Sequence, residues 1–280
     1  MLKGMNAMTR FSHKVAVALL AALTLTPGAG VAETIRVGGV GGSEAIMRQL
    51  AAAFSAAHPG NSVEVMPRLG GRGSINALGA GAIDISVAGR PPTEQERAAA
   101  PMIVTAFLET PLLFVTSNRT ATALTRQDVV DLYAARKQSW PDNTPIRPIV
   151  RDASESDVMI LTDALPNYGV AMASARTRPE LPSAPHDTAN AELAVSIDGS
   201  FAAMTLLQVT AERLALQRLR LDGAEPTVEN LAAERYPLRK RLHLLSRQDA
   251  SPAVRRFLAF LATDDVRRTL LKAGAISLLR

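Results

Sequence analysis

Residues 151–157 read RDASESD. Arg151 carries a guanidinium that can grip an oxyanion, and Ser154 and Ser156 add hydroxyl donors. Asp152, Glu155 and Asp157 are interleaved with them and repel the same guest. Two other stretches, GGVGGS (38–43) and GGRGS (70–74), are glycine turns placed before apolar helical patterns. A helix N-terminus has free N–H groups and a partial positive charge, and glycine lets a ligand reach them. Gly42, Gly71 and Gly73 are the candidate N–H donors. Ser43 and Ser74 are candidate hydroxyl donors, Arg90 is a candidate cation, and Arg72 is a secondary one. The competing reading of each serine is that it caps its own helix. All three stretches fall at predicted strand ends, where α/β folds hold ligands.

Other chemistry finds little footing. The four histidines, His13, His58, His186 and His243, are far apart and none has metal-ligand spacing. His58 reads as a solvated loop residue and His243 as a structural one. The chain has no cysteine, which excludes thiolate chemistry, disulfides and a lipid on an N-terminal cysteine. It has neither a GxSxG elbow nor a GxxxxGK[ST] loop, and its glycine turns do not complete GxGxxG. No cofactor or metal is expected. An enzyme built on the acids of 152–157 stays open as a rival, with no pairing in the sequence to support it.

The elements that would position these residues alternate. IRVGGV (35–40) reads as a buried strand, and Ser43 opens a helix with Ile46, Met47, Leu50, Ala51 and Phe54 on one face. SVEVMPRL (62–69) and AIDISVAG (82–89) read as strands, with a short helix after GGRGS between them. Thr93–Glu96 is a capping box, and Thr125 with Asp128 opens another helix. MIVTAFLETPLLFVTSN reads as two β runs separated by Pro111. PIRPIV (145–150) is a strand delivering RDASESD, and VMILTDAL a helix after it. The region 166–192 gives no clear pattern. LALQRLRLDG and LHLLSR read as strands, and Ser251-Pro252 and Thr263 each open a helix near the end. This alternation is an α/β signature.

The first 32 residues look like an export signal. Lys3, Arg10 and Lys14 precede VAVALLAALTL, which is too short to span a membrane, and cleavage is expected after Ala32. An uncleaved anchor is the competing reading. The segment holds three basic residues and no acid, so its removal takes the net charge from +5 to +2. That mild charge and 4% aromatics argue against a nucleic-acid partner. The 248 residues beyond position 32 suit one large domain or two lobes.

Four segments in order carry a family resemblance: GGSEAIMRQLAAAFSAAHPGNSVEV; GGRGSINALGAGAIDISVAGRPPTEQE; LTRQDVVDLYAARKQSW with PIRPIVRDASESD; and LDGAEPTVENLAAERYPLRKRLHLLSR with SPAVRRFLAFLATDDVRRTLLKAGAISLL. Over roughly 35–280 the chain resembles the phosphate-type solute-binding proteins of ABC importers, with the type II periplasmic binding-protein fold. The resemblance implies a two-lobed α/β protein with a ligand cleft between the lobes. Lobe one is expected over 33–113 and 240–280 and lobe two over 114–239, with crossings near Pro111–Ser117 and Pro237–Leu244. It implies a periplasmic, non-enzymatic monomer that binds phosphate or a similar small anion, closes by a hinge motion and is read by a membrane permease. The alternative is a binding-protein-like sensor or interaction module that has lost high-affinity phosphate binding.

Residue by residue, Ser43 and Arg151 match the family's anion-binding hydroxyl and arginine. Gly71 stands where the family has a serine, and Gly89 where some members have an aspartate, followed by Arg90. The loop after Arg151 departs further, since Gly-Ser-Gly-Thr is replaced by Ser154-Glu155-Ser156-Asp157. Unit charges about 4 Å apart repel by roughly 4 kcal/mol at an effective dielectric of 20. Two carboxylates aimed at a dianion would therefore erase a micromolar affinity of about 8 kcal/mol. The simplest escape turns the acids to solvent at a helix start, where the dipole favours them. Pairing with Arg72, Arg90 or Arg151 is a second, and a cationic or zwitterionic ligand a third.

Overall fold

The computed structural model describes residues 33–280. The expected signal and its cleavage after Ala32 lie outside the described residues. In chain order the elements are β1 (Glu33–Gly39), a 3-10 turn (Gly41–Ser43), α1 (Glu44–Ala57), β2 (Asn61–Val65), α2 (Gly70–Gly79), β3 (Ile85–Ala88), α3 (Glu94–Ala99) and β4 (Met102–Thr116). β5 (Ala123–Leu124), α4 (Arg126–Tyr133), β6 (Arg147–Pro148), β7 (Val150–Arg151), α5 (Ser156–Ala164), α6 (Tyr168–Arg176), β8 (Ser183–Ala184) and α7 (Asp187–Ser196) follow. The chain ends with β9 (Ser200–Thr205), α8 (Leu206–Ala211), β10 (Gln217–Leu221), α9 (Val228–Ala232), β11 (Arg239–Arg247), α10 (Pro252–Leu261), α11 (Asp264–Lys272) and β12 (Ile276–Ser277).

The main sheet is mixed. β1 pairs in parallel with β2 and β3, the arrangement that strand–helix–strand units produce. β11 runs antiparallel between β3 and β4. The far half of β4 pairs with β9 and β10. β7, which carries Arg151, pairs separately with β8.

Two large apolar clusters sit on this sheet. One gathers Ile35, Val37, Ile46, Phe54, Val87 and Phe107 with Phe257 and Leu270 from the end of the chain. The other takes its residues from Leu112 to Leu238, including Tyr133, Trp140, Tyr168 and Phe201. β4 runs from one cluster into the other, since Phe107 and Leu108 belong to the first and Leu112–Val115 to the second. Pro111 does not end it, because the residue facing it in β11 is Arg239 and the strand continues to Thr116. The expected pair of β runs is thus one 15-residue strand.

Local signals held where a side chain caps a helix. Thr93 with Glu96 and Thr125 with Asp128 form reciprocal capping boxes, and the Ser251 hydroxyl accepts from the Val254 N–H. The glycines of 70–73 are not a turn before a helix. Gly70 has φ +65°, and with Gly71, Arg72, Gly73 and Ser74 it forms the first turns of α2 itself. Thr263 precedes α11 without capping it, because its hydroxyl donates back to the Phe260 carbonyl. The region 166–192, unread from the sequence, folds into α6, β8 and the start of α7.

Candidate functional site

Arg151 ends β7, and α5 begins five residues later. Its guanidinium is turned inward, and the side chain is 3% exposed. Nη2 donates to Glu155 Oε2 and to Asp187 Oδ1, both at 2.8 Å. Nη1 lies 3.4 Å from Asp157 Oδ2, too poorly aligned to count as a hydrogen bond. Lys240, near the start of β11 and also 3% exposed, stands 3.8 Å from Asp187 Oδ2 and 4.0 Å from Asp157 Oδ1. The Gly42 N–H donates to Asp187 Oδ2 at 3.2 Å. Arg151 Nε and Nη1 and Asp157 Oδ1 are buried without a hydrogen-bond partner among the described residues.

The acids of RDASESD therefore divide. Asp152 faces solvent and accepts from the Ser154 N–H and hydroxyl. Glu155 and Asp157 do not point outward as the simplest reading had it, and Asp157 is 2% exposed. They turn in because Arg151 is there, the pairing escape from self-repulsion. With Asp187, three carboxylates face two cations. Burial pushes the Glu155 carboxyl up, and Asp187 and Asp157 push it further against the pull of Arg151. Burial also opposes ionisation of Asp187, but Lys240, Arg151 and the Gly42 N–H outweigh it and hold the carboxyl below its usual range. Burial works against the Arg151 charge too, and its three carboxylate partners overcome it.

Asp187 reaches this place from α7, whose first residue it is. An acid there is favoured by the helix dipole, and the His186 ring accepts the Ala189 N–H as the cap. The glycine turn 41–43 is built to receive it. A Cβ on Gly41 would stand 2.7 Å from Thr188 Oγ1 and 2.9 Å from the Thr188 backbone nitrogen. The bare backbone that was expected to approach a ligand thus approaches the chain's own α7.

Beside this cluster opens a cavity of about 510 Å³. Gly71, Arg72, Arg90, Ser154 and Ser156 line it among the expected residues, and the half-buried Glu155 joins them. Arg90 is already engaged, since it forms a two-pronged pair with Glu96 at 2.8 Å on each arm. That pair, against the cost of burial, holds the Glu96 carboxyl down at about 2. Four expected donors face elsewhere. Ser43 is buried and its hydroxyl donates to the Val40 carbonyl. Ser74 is buried between the Gly71 carbonyl and Ser86 Oγ. Gly42 serves Asp187, and Gly73 packs within α2 against Leu69. On the cavity wall, a Cβ on Gly89 would lie 2.3 Å from Ser156 Oγ, so an aspartate at 89 would collide with α5.

Oxygens of Glu155, Asp157 and Asp187 lie within 4.8 Å of one another, a spacing a divalent cation can use. Arg151 and Lys240 stand between them as counter-charges, so a metal would have to enter against two cations. The donor set does not fit one. Asp187, Lys240 and Gln208, whose amide donates to the Asp187 carbonyl at 3.3 Å, were not among the residues singled out from the sequence. Lys240 carried a faint signal, because it falls among apolar positions in LRKRLHLL.

Arg151 and the glycine turn ahead of α1 thus meet on one buried carboxylate, that of Asp187. A family model of the PBP superfamily domain matches residues 24–265, and the chain belongs to that superfamily. No sequence among curated proteins matches it. Several solved structures share the fold. A Clostridium perfringens structure described as a phosphate ABC transporter substrate-binding protein, with bound phosphate, superposes with a TM-score of 0.74 at 15% identity, covering 88% of this chain and 100% of that one. A phosphate-binding protein from Stenotrophomonas maltophilia gives a TM-score of 0.65 at 14% identity, covering 88% and 91%. An ABC-type phosphate transport receptor from Vibrio cholerae gives 0.61 at 21% identity, covering 86% and 99%.

Proposed function

We propose that this chain is an exported, non-enzymatic binding protein that captures phosphate or a related oxyanion for an ABC importer. The ligand enters between lobe one (33–113 and 240–280) and lobe two (114–239), a division that the two large apolar clusters follow except at Leu112, Leu113 and Leu207. The observation that carries the reading is Arg151, a guanidinium 3% exposed whose Nε and Nη1 lack hydrogen-bond partners among the described residues. A buried cation with unused donors is an anion receptor in waiting, because burial strengthens each charged hydrogen bond it can make. The PBP superfamily domain and the phosphate-binding neighbours support the same reading. Export to the periplasm, action as a monomer and hand-over to a membrane permease follow from this class of function, as does independence of cofactors and nucleic acid.

Isothermal calorimetry of the chain beyond residue 32 with inorganic phosphate, sulfate and acetate tests it. Saturable heat with phosphate, abolished in Arg151→Met, is the expected result. Absence of heat with every oxyanion up to millimolar concentration refutes it. The paired state of Arg151 and Asp187 favours one second reading, a sensor or interaction module with the same fold and no high-affinity phosphate binding.

A further inference from the structure

We propose that Asp187 is a tethered anion. Its carboxylate fills the cationic socket formed by Arg151, Lys240 and the Gly42 N–H, and a free oxyanion enters by displacing it. Asp187 is thereby the residue that sets the anion affinity of the cleft. This rests on the oxyanion-binding reading and adds an occupant to it.

Three observations carry the inference. First, the contacts of the Asp187 carboxylate are those an oxyanion would make. Oδ1 accepts from Arg151 at 2.8 Å, Oδ2 accepts from the Gly42 N–H in the 3-10 turn ahead of α1 at 3.2 Å, and Lys240 stands 3.8 Å from the same oxygen. Second, the glycine turn fits α7 and not open space, since any side chain at Gly41 would strike Thr188. The approach is built for the tether. Third, the socket is under-filled by its tenant. Arg151 retains two nitrogens without hydrogen bonds, although three carboxylates surround it. A tetrahedral oxyanion presents more acceptor oxygens than the single carboxylate that now reaches both Arg151 and Gly42.

The charge balance gives the direction of the effect. Glu155, Asp157 and Asp187 against Arg151 and Lys240 leave the ionised cluster at one negative charge, so an incoming dianion meets a cleft of its own sign. Moving Asp187 out takes one negative charge from the site and vacates its place on Arg151 and the Gly42 N–H, leaving Glu155 and Asp157 balanced by Arg151 and Lys240. A free oxyanion therefore has to compete with a carboxylate that its own chain holds at high local concentration, and enters only when its own concentration is high.

Calorimetry and thermal unfolding of the native chain, Asp187→Ala, Asp187→Asn and Glu155→Gln test this. Glu155→Gln removes the same charge without vacating the socket. Phosphate is expected to bind Asp187→Ala at least tenfold more tightly than the native chain, with smaller gains in Asp187→Asn and Glu155→Gln. Acetate and formate, stand-ins for the lost carboxylate, are expected to raise the Tm of Asp187→Ala by several degrees and leave the native Tm unchanged. Asp187→Asn keeps the side-chain volume, so it reports on the socket even if the alanine variant folds poorly. If the native chain binds phosphate and both Asp187 variants bind it no more tightly, the tether is refuted while the oxyanion reading stands. If acetate shifts native and Asp187→Ala equally, the tether is refuted as well. Silence of all four proteins toward every oxyanion overturns both.

Discussion

Arg151→Met is the substitution whose cost the structure fixes most closely. Methionine keeps much of the side-chain length and removes the charge. Asp157, 2% exposed, and Asp187, 6% exposed, would then share a single cation, Lys240, at 4.0 and 3.8 Å. Breaking a buried pair by removing one partner costs about 3–5 kcal/mol, because the remaining charge keeps its desolvation penalty. In a domain of this size each kcal/mol moves the midpoint by about 2–4 °C, so a Tm loss of roughly 10 °C at pH 7 is expected. The difference narrows with acid. In the native chain the Asp187 carboxyl is held below its ordinary 3.8, so its contribution is present above that value and fades as pH falls below it. Without Arg151 the acids favour their protonated forms, and the gap between variant and native shrinks as pH drops toward 4. Thermal melts at pH 7, 5.5 and 4 read both effects. A variant within about 2 °C of native at pH 7, or a gap that widens in acid, refutes the assignment of Arg151 as the buried counter-ion.

Two further outcomes are expected from other parts of the molecule. Burial pushes the Glu212 carboxyl up to about 7; Asp187 and Glu44 add to that, while Gln208 and Arg48 oppose it. A raised acid stabilises the fold below its unfolded value of 4.5 and loses that contribution as pH rises through 7. Glu212→Gln should therefore gain about 1 kcal/mol at pH 8, after screening of a half-buried group, and nothing at pH 4.5, as urea unfolding at the two pH values would read. Gly89→Ala places a methyl 2.3 Å from Ser156 Oγ and 3.0 Å from its Cβ, so the alanine should lower Tm by several degrees. Ser156→Gly in the same chain should restore most of it, and additive losses in the double variant would refute contact between the two positions.

The parts of this fold that were legible in the sequence are those decided within a few residues. The capping boxes at Thr93 and Thr125 and the Ser251-Pro252 start depend on one side chain reaching one N–H nearby. The apolar face of α1 is likewise a local pattern. Arg151 was legible as a candidate cation, from its place at a strand end ahead of a helix and from the family resemblance, and the structure turns it inward. The fates of Ser74 and Arg90 were not legible. Ser74 lies four residues into α2 and is drawn inward by Ser86, twelve positions away, and Arg90 is claimed by Glu96 through the fold of α3. Asp187 was the hardest to read. Its partners Arg151 and Gly42 are 36 and 145 residues distant, and its own segment shows neither strand nor helix period. As a first-turn acid it looks like dipole complementation, and nothing local distinguishes that from a counter-ion.

β4 has a mechanical consequence. It passes unbroken between the apolar clusters, and its neighbour across that passage is β11, with Arg239 opposite Pro111 and Lys240 opposite Thr110. The pair slips register between Leu242 and His243, just inside the first cluster. The ribbon is not the whole connection, because Leu207 of α8, between β9 and β10, also belongs to the first cluster. A motion between the clusters would flex the ribbon like a leaf spring, with the slip its thinnest section, and would strain the ends of α8 as well. Lys240 rides on that ribbon, so bending it would carry one wall of the charged cluster away from Asp157 and Asp187.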